Sequence, residues 1–262
     1  MKKVLLSIAG HDPTAGAGTG LDIKVFQSFG YLGMGILTSL TVQNTTGVKK
    51  IHCPSSSFIL DQYLFLREDV DFSGIKIGMV GCADNINPII HILGDNQGIP
   101  IIIDPVFKSS AGDWLFKKES IPIYMKKIRG KASLLTPNLE EAESISGIKI
   151  EDLSDAEKAA QEIFKQTQTP CLVKGGHLRK GNVDILYDGN KFYTYKNRKL
   201  KKKIHGTGCF LSSALLCYMA KAFPLDQACS LAIQTTYKAM TKAIRIGSGQ
   251  ALFDFTASSP PL

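Results

Sequence analysis

Short apolar, β-rich runs alternate with longer segments of helical period along most of the 262-residue chain. Runs at 4–8, 36–42, 75–80, 100–106, 134–136, 171–174 and 183–187 predict strands. Segments at 21–29, 57–68, 87–93, 120–128, 155–168, 209–222 and 225–246 predict helices. Uninterrupted apolar strands such as Pro100-Ile101-Ile102-Ile103 are expected where helices cover both faces of a sheet. The alternation predicts a mostly parallel, doubly wound α/β sandwich. One stretch breaks the rhythm: 183–187, then Asp188-Gly189-Asn190, then 191–195 reads as a hairpin, giving the sheet an antiparallel edge. With no internal repeat and no linker, residues 1–255 read as one domain, and the patternless 256–262 as a mobile tail.

Composition narrows the class. A hydrophobic content of 44% and a charged content of 21% are globular values and exclude a disordered chain. Six cysteines, at 53, 82, 171, 209, 217 and 229, include no C-x-x-C pair and no histidine at zinc-finger spacing. That argues against a disulfide framework or a structural zinc and suits a reducing, cytoplasmic setting. The start, Lys2-Lys3 and then an apolar run from 4 to 9, imitates a signal peptide, but the run is too short and His11-Asp12 ends it. No run approaches the ~20 apolar residues of a membrane span.

The formal charge of +8 suits anionic partners. Its densest cluster, Arg198-Lys199-Leu200-Lys201-Lys202-Lys203, lacks the interleaved aromatics of a nucleic-acid surface. It reads as a solvated loop, with a place just before His205 from which it could steer phosphate. Neither nucleic acid nor membrane is expected as a partner; a small anionic ligand is.

Ligands of parallel sheets bind outside the carboxyl ends of the strands, and four motifs fall there. After the first strand comes Ala9-Gly10-His11-Asp12-Pro13-Thr14-Ala15-Gly16-Ala17-Gly18-Thr19-Gly20-Leu21-Asp22, a glycine-rich loop matching neither the Rossmann nor the Walker A fingerprint. A structural turn, with Asp22 as a helix cap, is its plain alternative. Asp104-Pro105 ends the 100–103 strand, a good place for a carboxylate serving a metal or its waters. Thr136-Pro137-Asn138-Leu139-Glu140-Glu141 opens a helix; Asn138 with Glu141 three residues on is a capping-box pattern. Carboxylates at two strand ends could also share one Mg²⁺ with nucleotide phosphates. Last, His205-Gly206-Thr207-Gly208-Cys209 opens an apolar helix, exposing free backbone N–H groups to an anion. The helix start should also lower the thiol pKa of Cys209. Phosphate binding, acid–base work and redox chemistry all remain open at this motif.

Taken jointly, these motifs resemble the hydroxymethylpyrimidine/phosphomethylpyrimidine kinases, the thiamine-pathway branch of the ribokinase superfamily. The resemblance also rests on Asp22-x-Lys24-x-Phe26, Val42-Gln43-Asn44-Thr45, Lys76-Ile77-Gly78-Met79 and Val173-Lys174-Gly175-Gly176-His177, and runs in order from about residue 5 to 250. It implies a ribokinase-like three-layer α/β/α sandwich, ATP and Mg²⁺ as cofactors, a small pyrimidine substrate and a homodimer. Gly10, Asp22, Gln43 and Met79 resemble the substrate pocket. Asn138, Lys174 and Thr207 resemble the groups around the ATP phosphates, with Asp104 and Glu141 on the metal side. Gly206, Gly208 and Cys209 resemble the catalytic anion hole, Cys209 standing where most of the superfamily carries an aspartate base. Gln43 carries both acceptor and donors, as an aminopyrimidine requires. Two departures border the substrate loop: Gly18-Thr19-Gly20-Leu21 where the family usually reads Gly-Ile-Gln-Ala, and His11 where a smaller residue is usual. They bear on substrate preference and not on reaction class. The alternatives are a pyridoxal kinase of the same branch, which tends to lack the Gln43-Asn44 pair, and a non-catalytic nucleotide- or metabolite-sensing domain on the same fold.

Overall fold

A computed structural model describes residues 2–109, 112, 114–176, 182–197, 200 and 202–256. His177, the 256–262 tail beyond Thr256 and half of the 198–203 basic run (198, 199 and 201) lie outside the described residues.

The strands are β1 Val4–His11, β2 Leu32–Asn44, β3 Gly47–His52, β4 Ile75–Ile77, β5 Ile101–Ile103, β6 Leu134–Leu135, β7 Cys171–Val173, β8 Asn182–Tyr187 and β9 Phe192–Asn197. Among the described residues they form one nine-stranded sheet in the order β3-β2-β1-β4-β5-β6-β7-β8-β9. From β2 to β7 every pairing is parallel. The predicted hairpin is present as β8–β9, the two strands antiparallel to each other and β8 antiparallel to β7. A second antiparallel edge, β2–β3, is an addition to the sequence reading. β2 also runs past the predicted 36–42 at both ends, because 32–35 pair with β1 and 43–44 with β3.

The helices are α1 Gly18–Ser28, α2 Ser56–Arg67, α3 Ile86–Asp95, α4 Ile121–Lys127, α5 Leu139–Ser146, α6 Leu153–Thr167, α7 Thr207–Ala220 and α8 Leu225–Thr241. Side-chain caps set several starts: Ser55 accepts from the Phe58 amide, Asp152 from that of Asp155, and Asn138 forms a full capping box with Glu141. Successive strand residues point to opposite faces, and this divides the core in two. Leu6, Ile8, Ile101, Ile103, Leu135, Cys171 and Val173 face α2 to α6. Leu5, Ile102, Leu134, Leu172 and Leu186 face α1, α7 and α8. The result is the expected three-layer sandwich. Among the described residues no helix is long and apolar enough to cross a membrane.

The topology fixes where chemistry can occur. β1, β4, β5, β6 and β7 run the same way, so Asp12, Gly78, Asp104, Thr136 and Lys174, each just past a strand end, line one edge.

Candidate active site

The two glycine-rich loops interlock at that edge. Gly206, the N-cap of α7, has φ 77°, and a Cβ there would lie 1.9 Å from the Gly16 carbonyl oxygen. Gly18, the first residue of α1, has φ 59°, and its Cβ would lie 2.2 Å from the Gly10 oxygen. Only glycine satisfies both the left-handed backbone and the approach. The Gly18 backbone also lies close enough to the Cys209 thiol to favour its charged form. Residues almost two hundred positions apart in sequence thus build one rim, as expected from the motifs.

Asp12 fastens this rim. Its carboxylate accepts from the Thr14 amide at 2.9 Å, the Ala17 amide at 3.1 Å and His205 Nε2 at 2.8 Å. Burial would raise the Asp12 pKa, but the His205 and Thr14 bonds hold it below the ordinary value. The Gln43 amide lies 3.0 Å from the same His205 Nε2, and Thr41 Oγ1 donates to Gln43 Oε1 at 3.2 Å. A bulge between Val42 and Gln43 turns the amide toward the rim. Gly10 and Met79 form the adjoining wall: a Cβ on Gly10 would lie 3.0 Å from Met79 Sδ and 2.7 Å from Ser39 Oγ. Of the four residues matched to a substrate pocket, Gly10 and Met79 adjoin each other, and Gln43 stands beside His205 on the rim.

Asp22 is differently placed. It lies inside α1, not at its start, so the cap reading is corrected: Ala17 is the cap. Its side chain is fully buried, accepting from Ser7 Oγ at 2.6 Å and Ser213 Oγ at 2.8 Å, and pairing with Lys76 Nζ at 2.5 Å. Lys76 is equally enclosed. Burial would lower its pKa, but the attraction of Asp22, Cys209 and Asp104 raises it well above the usual lysine value, so the ammonium is retained. The pair sits beneath the site, binding β1, β4, α1 and α7 together. Lys76 was part of a quoted motif but was given no role. Its signal was available: a lysine in an otherwise apolar strand covered on both faces must have a charged partner.

On the other side Lys174 Nζ donates to Asp104 Oδ1 at 2.8 Å, an oxygen that also accepts from Thr136 Oγ1 at 3.1 Å. Asp104 Oδ2 has a longer bond, 3.3 Å, from Ser212 Oγ. A Cβ on Gly208 would stand 3.1 Å from Lys174 Nζ and 3.7 Å from Asp104 Oδ2, so the start of α7 faces this pair directly. Burial opposes both charges, yet each stabilises the other: Asp104 is held below the carboxylate range by Lys174 and Lys76, and Lys174 above the lysine value by Asp104 and Glu141. Glu141 Oε2 accepts from the Asn138 amide at 2.7 Å, and Asn138 Oδ1 from the Glu141 amide at 2.9 Å. Burial pushes the Glu141 carboxyl up to about 7, against the opposing pull of Lys174. Thr207 is the first residue of α7, with its amide on the anion side.

One expectation is reversed. The helix start was to lower the Cys209 thiol; instead burial pushes it up to about 11, with Lys76 opposing and Asp22 and Asp104 reinforcing. Desolvation of a thiolate exceeds the pull of one helix end and one ammonium that is already paired.

The donor set bears on Mg²⁺. Among the described residues no three histidines, cysteines or carboxylates form a ready cage. Asp104 and Glu141 are two carboxylates, one partly spent and one so desolvated that an arriving cation would favour its charged form. That matches an ion which takes one or two carboxylates and completes its shell with phosphate and water.

The family model for phosphomethylpyrimidine kinase matches residues 12–254. A hydroxymethylpyrimidine/phosphomethylpyrimidine kinase of Aquifex aeolicus is 35% identical over 255 residues, covering 96% of this chain and all of the relative. A phosphomethylpyrimidine kinase structure from Clostridium difficile superposes with a TM-score of 0.81 at 35% identity, over 91% of this chain and 100% of that one. A Staphylococcus aureus pyridoxal kinase, solved with AMP-PCP and pyridoxal, superposes with a TM-score of 0.86 at 26% identity, over 98% and 95%.

Proposed function

The chain belongs to the phosphomethylpyrimidine kinase family, and from that premise we propose that it transfers the γ-phosphoryl group of ATP to 4-amino-5-hydroxymethyl-2-methylpyrimidine and then to its monophosphate. The observation that carries this reading is the interlocked rim, in which Gly206 rests on Gly16, Gly18 on Gly10, and Gly208 faces Lys174. Phosphoryl transfer requires mainly in-line positioning and neutralisation of oxygen charge. The Gly206–Cys209 amides and Lys174 supply positive potential where the γ-phosphate must sit. Asn138 and Thr207 lie on the nucleotide side. Asp104 and Glu141 would hold Mg²⁺, which when bound neutralises charge on the transferring phosphoryl oxygens.

Gln43 reads the pyrimidine, offering acceptor and donor to a ring nitrogen and its neighbouring amine. His205, itself anchored on Asp12, stands beside that amide. Cys209 is the proton acceptor for the hydroxymethyl group. Its raised pKa means that a thiolate, once formed, is a strong base, and that little is present at neutral pH. Asp22 acts from below as the counter-ion that keeps Lys76 charged near Cys209, in place of a direct substrate contact. We further propose that the protein works in the cytoplasm as a homodimer.

Pyridoxal phosphorylation is the second reading, favoured by the close superposition on the pyridoxal kinase and by His205 and Cys209 flanking one glycine-rich loop. ATP and Mg²⁺ with hydroxymethylpyrimidine, its monophosphate or pyridoxal separate the two. The expected result is a higher kcat/KM for both pyrimidines than for pyridoxal. Turnover of pyridoxal with none of either pyrimidine overturns the assignment.

A further inference from the structure

Two cysteines outside the phosphoryl-transfer site lie against each other at the margin of its substrate wall. Cys53 directly follows β3, the outer strand of the hairpin whose inner strand carries Gln43. Cys82 stands three residues after Met79, on the loop leaving β4. Gly81, the residue before Cys82, has φ 85°, and a Cβ there would lie 3.0 Å from Cys53 Sγ. The Cys53 sulfur therefore rests on the backbone adjoining Cys82, where a side chain larger than glycine would part them. Both cysteines are half-buried and reachable, whereas Cys171, Cys217 and Cys229 are buried.

The two sulfurs belong to segments of different character. The Cys82 loop is tied down: Thr38 Oγ1 donates to the Met79 carbonyl at 2.5 Å, and Asn85 Nδ2 to the carbonyls of Val80 at 2.8 Å and Thr38 at 3.1 Å. Cys53 ends a sheet-edge strand with β2 as its strand partner.

We propose that Cys53 and Cys82 are a redox modification site, closing reversibly to a disulfide that fastens the end of β3 to the Met79 loop and stiffens the hairpin carrying Gln43. The co-reactant is a low-molecular-weight disulfide, RSSR. Burial, and after it the adjoining Cys82 thiol, push the Cys53 thiol up to about 12, so Cys53 stays protonated at neutral pH. With Cys82 as the first to attack, its sulfur displaces RS⁻ from RSSR and forms Cys82–S–S–R. Cys53 then attacks the Cys82 sulfur as its proton passes to the departing thiolate, releasing a second RSH. Two protein thiols become one disulfide, and RSSR is reduced to two RSH, so atoms and electrons balance.

The full-length protein would be exposed to oxidised glutathione, alkylated, digested with trypsin and mapped by mass spectrometry. The expected product is one linked species joining the Cys53 and Cys82 peptides, lighter by two hydrogen atoms and separated by dithiothreitol. Cys53→Ser and Cys82→Ser should each abolish the linked species, leaving the remaining cysteine free or as a mixed disulfide with glutathione. Amide hydrogen exchange on the oxidised wild type should slow over 45–52 relative to the reduced form, a readout independent of the variants. Mixed disulfides on both cysteines without linkage, or linkage to another cysteine, overturn the site. Unchanged exchange over 45–52 in a linked protein overturns the stiffening.

Discussion

Two lysine–aspartate pairs lie one strand apart under the same loops, and they do opposite things. Lys76–Asp22 is sealed: both side chains are 0% exposed, and the carboxylate is filled by Ser7, Ser213 and the ammonium. Lys174–Asp104 is similar in length, but the lysine retains 16% exposure and Gly208 leaves its face clear. A pair with every partner supplied by the protein has nothing left to offer a ligand. A pair with a bare side can exchange one partner for a phosphate oxygen. Cys209 lies in the field of both ammonium groups, so the difference between the pairs is felt at the atom proposed to take the proton.

The contrast can be broken most directly at its sealed end. Lys76→Ala leaves a buried carboxylate with hydroxyl donors alone and should cost about 3–5 kcal/mol in urea unfolding. A double variant, Lys76→Met with Asp22→Leu, should recover most of that loss, since an apolar pair of similar volume removes both buried charges. Wild-type stability in Lys76→Ala would show that the pair is not architecture. Lys174→Ala tests the open end. Its kcat should fall by about 100-fold or more, as when one charge-stabilising donor is removed, while its urea midpoint moves less than that of Lys76→Ala. A folded Lys174→Ala enzyme with normal kcat would erase the distinction.

Between the two pairs, Cys209→Ser should lower the single-turnover rate by about 100-fold at saturating ATP, the lower range for a lost base. For a thiol at about 11 the thiolate fraction grows with pH, so the wild-type rate should climb from pH 6 to 9. A flat profile together with a tolerated serine would remove the base role. The smallest effect is expected at Glu141. Its carboxyl is raised from 4.5 to about 7 in the folded protein, so between those values the native state holds a proton that the unfolded chain has released. Stability of the metal-free protein should therefore fall as pH rises through that window. Glu141→Gln keeps the capping box and should flatten the fall; an unchanged slope would assign it to other groups.

Much of this was legible in the chain. Alternating apolar runs gave the sandwich, and an Asp-Gly turn gave the β8–β9 edge. β3 escaped because Gly47-Val48-Lys49-Lys50-Ile51-His52 is half polar and exposed, with no buried face to enforce a pattern. The glycine loops announced a rim, but nothing in their spacing said that Gly206 rests on Gly16; that is a tertiary fact. Asp22 is put in the substrate pocket by the family resemblance, and its loop suggests a helix cap. Its true partners, Ser7, Lys76 and Ser213, are scattered through the sequence and are hidden from any local reading. The Cys209 error has the same root: a helix start is visible in sequence, but the depth at which it is buried is not.

The division of the core between two faces has a consequence for how the chain comes into being. Helices covering one face, α2 to α6, are interleaved with the strands and are synthesised alongside them. The other face relies on α1 and on α7 and α8, which leave the ribosome last. Until residues 207–241 emerge, Leu5, Ile102, Leu134, Leu172 and Leu186 form an incompletely covered apolar sheet face. A nascent chain halted near residue 200 should be sticky as well as inactive, and a folding helper that shields flat apolar surfaces would find its client in that interval.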